Sequence, residues 1–171
     1  MLADLYRVRA IAKFRHEVFV GFKDGAPQLE LASEEEVGNL ILDGGRVAIH
    51  TYVYGTPAQR SSAGLSGTGF NYIALTNDGA APAAGDTVLA SELVGNGLTR
   101  AVGVVTLPTG SGAITTIVKA FTYTNATPQA VQKTALFDAA AAGRMAHEIQ
   151  FSPRTLNLND VFTVTFSITA T

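Results

Sequence analysis

Three histidines, His16, His50 and His147, are the residues most able to do acid–base or metal chemistry in this chain. A zinc site needs three or four converging ligands, and no H-x-H or H-x-x-x-H spacing brings two of the histidines together. His16 and His147 fall on the apolar side of alternating segments, where an imidazole is read as a hydrogen-bonded core or interface residue. No serine sits in a G-x-S-x-G elbow, so the hydrolase nucleophile arrangement is absent. Gly64–Gly69 (GLSGTG) is glycine-rich, but it holds no lysine and leads into a strand pattern rather than a helix, so it does not read as a phosphate cradle. Asn77, Asp78 and Asp86 lack the spacing of a calcium loop and read as turn and capping residues. Asn125-Ala126-Thr127 matches a glycosylation acceptor and reads as a turn. No cysteine is present, which removes disulfides, thiolate metal sites and a thiol nucleophile. The residues therefore give no catalytic, cofactor-binding or metal constellation, and the expectation is a protein that is not an enzyme and carries no cofactor.

The elements that would position these residues are mostly strands. From Arg7 to Phe22 the pattern has period two, with Val8, Ala10, Ala12, Phe14, Val18, Val20 and Phe22 on one side and Arg7, Arg9, Lys13, Arg15 and Glu17 on the other. Lys23-Asp24-Gly25-Ala26 is a hairpin turn, and Gln28–Leu31 is the returning strand with Leu29 and Leu31 expected to face inward. Glu34-Glu35-Glu36 reads as a solvated turn or as a docking site for a basic partner. Asn39–Leu42 is a short strand, Arg46–Tyr54 reads as a helix or, from its Val, Ile, Thr and Tyr, equally as a strand, with helix the expectation, and residues 55–69 form a long Gly/Ser loop. Downstream strands are expected at 70–76, 98–106, 113–124, 130–137, 144–151 and 161–170, with a helical turn capped by Asp86 running through Leu93. The last segment alternates Phe162, Val164, Phe166 and Ile168 against Thr163, Thr165, Ser167 and Thr169. The fold class is mainly β: an antiparallel β-sandwich or jelly-roll-like domain, with one or two short helices and an N-terminal β-hairpin or arm. Residues 1–38 are the hairpin or arm and residues 39–171 the sandwich.

Charge is distributed unevenly. Residues 1–50 hold 6 basic and 8 acidic side chains, whereas residues 51–171 hold only 6 and 6. A solvated surface is normally about a quarter to a third charged, so the longer segment reads as one that lends surface to a larger assembly. The formal net charge of −2 gives no global attraction to nucleic acid or to an anionic membrane. The start of the sequence is charged within its first seven residues and does not read as a signal peptide. Contact residues for an assembly are sought among aromatic and arginine anchors. The candidates are Tyr52, Tyr54, Phe70, Tyr72 and Arg100, together with the basic strand face Arg7, Arg9, Lys13 and Arg15.

Several stretches resemble a module of tailed-bacteriophage structural proteins. They are Asn39–Gly45, Tyr72-Ile73-Ala74-Leu75 followed by a Gly/Ala/Pro-rich loop, Ala84-Gly85-Asp86-Thr87 with Leu89, Glu92-Leu93, and Leu98-Thr99-Arg100-Ala101. The likeness continues through Ala135-Leu136-Phe137-Asp138-Ala139, Phe151-Ser152-Pro153, Thr155-Leu156-Asn157 and Asp160 with Phe162–Phe166. It spans residues 39–171 and rests on pattern, not on a catalytic signature. The resemblance implies a non-enzymatic virion protein: a capsid decoration protein that reinforces the shell through the major capsid protein, or a tail or baseplate subunit. By analogy with such proteins a homo-oligomer is implied, with a trimer the guess, located in virions assembled in the host cytoplasm. A carbohydrate- or receptor-binding β-sandwich is the alternative from a different class. The absence of tryptophan weighs against it.

Overall fold

The computed structural model describes residues 8–38, 40–41, 69–106 and 114–170. Among these residues, ten strands build two antiparallel five-stranded sheets. The strands are β1 (Val8–Lys23), β2 (Ala26–Gly38), β3 (Leu40–Ile41), β4 (Tyr72–Thr76), β5 (Ala101–Val102), β6 (Val104–Thr106), β7 (Ile114–Thr122), β8 (Gln129–Phe137), β9 (Met145–Leu156) and β10 (Val161–Ala170). One sheet has the order β2-β1-β10-β7-β6 and the other β3-β9-β8-β4-β5. The architecture is a β-sandwich.

The alternating strands place the core as their period requires. Phe14, Ile117, Phe121, Phe162, Val164 and Phe166 from the first sheet meet Ile73, Leu75, Val131, Leu136, Ile149 and Phe151 from the second, all buried. Phe14, Phe151 and Phe162 form the aromatic centre, with ring centroids 4.1 to 6.1 Å apart. Burying a side chain of this size contributes about 1.5–3 kcal/mol each. The outer strand face of β10 carries threonines, as its sequence predicts. β1 pairs with β10 from Val8↔Ala170 to Glu17↔Val161, so the first strand of the N-terminal hairpin lies within the first sheet and contributes Ala12 and Phe14 to the core.

The chain changes sheet at both edges. On one side β2 runs into β3 across residue 39. There the Glu35 carboxylate accepts the Ser152 amide at 3.1 Å and pairs with Arg154 at 2.7 Å, tying the edge strand β2 to β9. On the other side β5 and β6 are one extended run broken at Gly103. A Cβ there would lie 2.7 Å from the Ile117 side chain, so only glycine lets the chain cross this closely.

Several expectations are corrected. No helix occurs among the described residues, and 86–93 is a series of turns. That segment must follow the outer face of the second sheet. Leu93 N donates to Leu75 O, Glu92 bridges Thr76, and Leu89 packs on Ala74, Ala135, Phe137 and Met145. Glu34–Glu36 lie within β2, not in a turn. β9 runs on to Leu156, past the strand end expected at residue 151. Leu29 and Leu31 do not face inward: they are 37% and 53% exposed. The expected helix at 46–54 and most of the loop at 55–69 lie outside the described residues.

Candidate functional site

The misplaced leucines define the site. On β2 the inward positions are Val37, Glu35 and Ser33, paired with Ala12, Phe14 and His16 of β1. The next pair is Glu17↔Leu31, so Ala32 is an extra residue. One inserted residue exchanges the two faces of a strand. Leu31 and Leu29 are therefore turned to the outer face, the side away from the second sheet. A second bulge lies at Val20 on β1, between the pairs Phe19↔Leu29 and Gly21↔Gln28. Gly21 has φ +135°, a conformation side chains rarely adopt. This bulge sets Phe22 opposite Pro27, on the same face as Leu29 and Leu31. Phe19 joins them, its ring 5.2 Å from Phe22 in an edge-to-face contact.

This face extends past the sandwich. β10 ends its pairing at Val161↔Glu17, while β1 continues six residues further, from Val18 to Lys23. At about 3.3 Å per residue, the two-stranded hairpin overhangs by about 20 Å. Asp24 and Gly25, with φ 53° and 80°, close it in a two-residue turn of the primed type. Phe22 is 71% exposed and Val20 53%. A two-stranded hairpin is marginal by itself in water, and this one presents an apolar face to solvent.

The base of the hairpin is fixed by one carboxylate. Asp160, buried at the start of the β10 pairing region, takes the Phe19 amide at 3.0 Å, the Asn157 amide at 2.8 Å and His16 Nε2 at 3.0 Å. Burial pushes the Asp160 carboxyl up, but the two amides and His16 outweigh it and hold its pKa below the usual carboxylate value. Asp160 thus supplies to Phe19 the acceptor that a longer β10 would have given.

A second polar cluster lies on the outer face of the other sheet, beneath the 77–99 loop. Lys133 Nζ is 2.7 Å from Asp78 and 2.7 Å from Glu148, with Lys133 and Glu148 almost wholly buried. Burial lowers the Lys133 pKa, but its hydrogen bonds to the two carboxylates outweigh that and raise it. Burial, reinforced by Asp86, raises the Glu148 pKa against the opposing pull of Lys133. A nucleophilic lysine needs a lowered pKa to carry a free amine near neutral pH. Lys133 is shifted the other way, so the cluster acts as a strap for the loop. Gln132 and Gln150 extend it, donating to Asn77 O and Gly79 O at 2.6 Å each. Among the described residues, no group of three or more His, Asp or Glu side chains is placed to hold a metal ion.

The sequence candidates fall in different places. Lys13 and Arg15 line the outer face of β1, where Lys13 pairs with Glu34 and Arg15 with Glu17. Arg9 lies on β1 opposite Thr169. Arg7, Tyr52 and Tyr54 lie outside the described residues. Phe70 and Tyr72 are half-buried and pack against the two core clusters. Arg100 is half-buried and bound within the chain. Its guanidinium stacks 3.5 Å over the Phe137 ring, forms a two-pronged pair with Glu92, and donates to Ala139 O and Ala142 O. Of the candidates with described side chains, Lys13 and Arg15 are neighbours on one strand face, whereas Phe70, Tyr72 and Arg100 are packed within the chain. The hairpin tip was missed as a site because Phe22, Leu29 and Leu31 were counted as core. The surplus residues at Val20 and Ala32 leave no mark in residue type, so alternation alone does not find it.

Among the described residues, no helix is long and apolar enough to cross a membrane. No protein-family model matches the chain, and no curated protein does.

Proposed function

We propose that this chain is a non-enzymatic structural subunit of a tailed-phage virion, acting as a capsid decoration protein that reinforces the shell through contacts with the major capsid protein. The observation that carries the contact role is the overhanging hairpin with Phe19, Phe22, Leu29 and Leu31 on one face. Covering an exposed Phe or Leu side chain contributes about 1.5–3 kcal/mol, so a patch of several is a strong docking element once a partner seats on it. The virion assignment draws on the sequence resemblance over residues 39–171. The sparse charge of residues 51–171 supports it further, since assembly surfaces are depleted in charge at their centres.

The test is the copy number of the chain in purified virions, by quantitative mass spectrometry against the major capsid protein. A near-stoichiometric ratio is expected, together with lower heat resistance of capsids that lack the chain. A few copies per particle would replace the decoration role with one in the tail or baseplate. Absence from virions would overturn the proposal and favour a binding module.

A further inference from the structure

Residues 80–89 form a flap over the outer face of the second sheet, and the chain is pinned on either side of it. Before the flap, Asp78 pairs with Lys133 and Gly79 O accepts from Gln150. After it, the Thr76 hydroxyl donates to Ala90 O, and Leu93 N donates to Leu75 O. Between these pins the flap is held from below at two places. Leu89 packs on Ala74, Ala135, Phe137 and Met145, all of them buried. Asp86, three residues earlier, lies within hydrogen-bonding reach of the Glu148 carboxyl.

Glu148 has one oxygen satisfied and one not. Oε1 receives the Lys133 ammonium at 2.7 Å, whereas Oε2 is buried with no hydrogen-bond partner among the described residues. The residue is only 2% exposed, so bulk water does not serve that oxygen. A buried carboxylate oxygen without a donor, set beside a second carboxylate, is costly. A proton on Oε2 removes both faults, because the O–H becomes a donor and Asp86 is the acceptor beside it.

We propose that Glu148 and Asp86 share one proton and that this proton latches the 80–89 flap, which lifts as pH rises and uncovers the apolar face at Phe137 and Met145. The surroundings leave few other groups to set the response. β8 places Ala135 opposite Glu148 and brings Lys133 to it, and β3 places Leu40 opposite it. The loop brings Asp78, already paired with Lys133, and Asp86. Lys133 is thus the one cation among three carboxylates in this cluster of described residues. Burial holds the Glu148 carboxyl above its ordinary value of 4.5 and Asp86 adds to the rise, against Lys133. A group whose latched form holds its proton more tightly than the released form weakens the latch as pH rises. His147 faces the core and acts in the opposite sense, destabilising the fold as pH falls.

Met145 under the flap reports its opening. Its oxidation by peroxide is followed by peptide mass spectrometry, with a free methionine peptide in the same tube as reference. The wild type is expected to oxidise ~10-fold faster at pH 9 than at pH 5, while amide exchange, corrected for its intrinsic pH dependence, quickens at 80–89 and not in β10. Glu148→Gln keeps a donor toward Asp86 at every pH and is expected to give a slow, flat profile. Asp86→Asn, on the loop, sets an amide donor beside Glu148 and is expected to do the same. It decides the matter alone where Glu148→Gln does not fold. A wild-type rate that does not change with pH overturns the inference. So does a folded variant of either kind that keeps the wild-type rise, or a rise matched by equal loss of protection in β10.

Discussion

At the scale of single residues, two buried titratable groups set how the molecule responds to acid. Asp160 binds two amides and His16, and its pKa is held low by them in the folded state. A carboxylate with a depressed folded pKa contributes stability above its unfolded pKa, near 3.8, and loses it as pH falls through the lower folded value. Replacing Asp160 with Ala leaves the Phe19 and Asn157 amides without their acceptor. It is expected to cost about 2–4 kcal/mol in urea unfolding and to loosen the hairpin base first, seen as faster amide exchange at 17–23. His147 acts over a different range. It faces the core, with its ring 6.3 Å from Phe166, and burial lowers its pKa from 6.5 to about 4. The unfolded chain takes up this proton near pH 6.5 and the folded chain only near pH 4, so stability falls across that interval by about 3 kcal/mol. His147→Leu is expected to flatten this part of the stability–pH curve, measured by urea midpoints between pH 7 and pH 4. An unchanged curve would assign the dependence elsewhere.

At the scale of elements, two inserted residues decide what the hairpin is for. The period-two pattern of β1 was legible in the sequence, as were the Asp24-Gly25 turn and the core faces of β7 and β10. So was the turn role of Asn125, whose side chain accepts the Thr127 amide. What the pattern could not show was phase. Alternation was carried straight through Val20 and across residues 28–31, and a bulge reverses the face without changing a residue type. Phe22, Leu29 and Leu31 were counted as core for that reason. The expected helical turn at 86–93 failed for a different one. Local capping signals at Asp86 are weaker than the pull of Leu89 and Leu93 onto the second sheet, and Asp86 instead accepts the Ala83 amide upstream. Deleting Ala32 removes the bulge and joins the Ser33↔His16 and Leu31↔Glu17 pairs into one regular ladder, so Leu29 and Leu31 are expected to stay on the outer face and the thermal midpoint to shift by only a few degrees. Gly21→Val forces a β-branched residue into positive φ. It is expected to lose about 1–3 kcal/mol and to weaken assembly with it.

At the scale of the whole molecule, sequence and structure agree on the sandwich and separate over what covers its faces. The inner faces are apolar and close-packed. The outer face of the second sheet is covered by the 77–99 loop, held by Lys133, Gln132, Gln150 and the Arg100–Glu92 pair. Arg100 and Tyr72 were sought as partner contacts because arginine and tyrosine mark interfaces. The same chemistry serves an internal layer here, and the sequence alone does not distinguish the two uses. Lys133→Met leaves the buried Glu148 carboxylate without its cation and is expected to cost about 3–5 kcal/mol in urea unfolding. Adding Glu148→Gln should recover part of that loss. Among the described residues the first sheet has no such cover over its hairpin, and that difference is the basis for reading the protein as one that works by contact.

Oxidative footprinting of the assembled protein tests that claim most directly, with the dissociated chain as reference. Val88 and Val94 on the 77–99 loop are as exposed as Phe22 and serve as internal comparators. Phe19, Phe22, Leu29 and Leu31 are expected to be protected several-fold more on assembly than Val88 and Val94. Equal labelling of the hairpin in the assembled and dissociated states would contradict it.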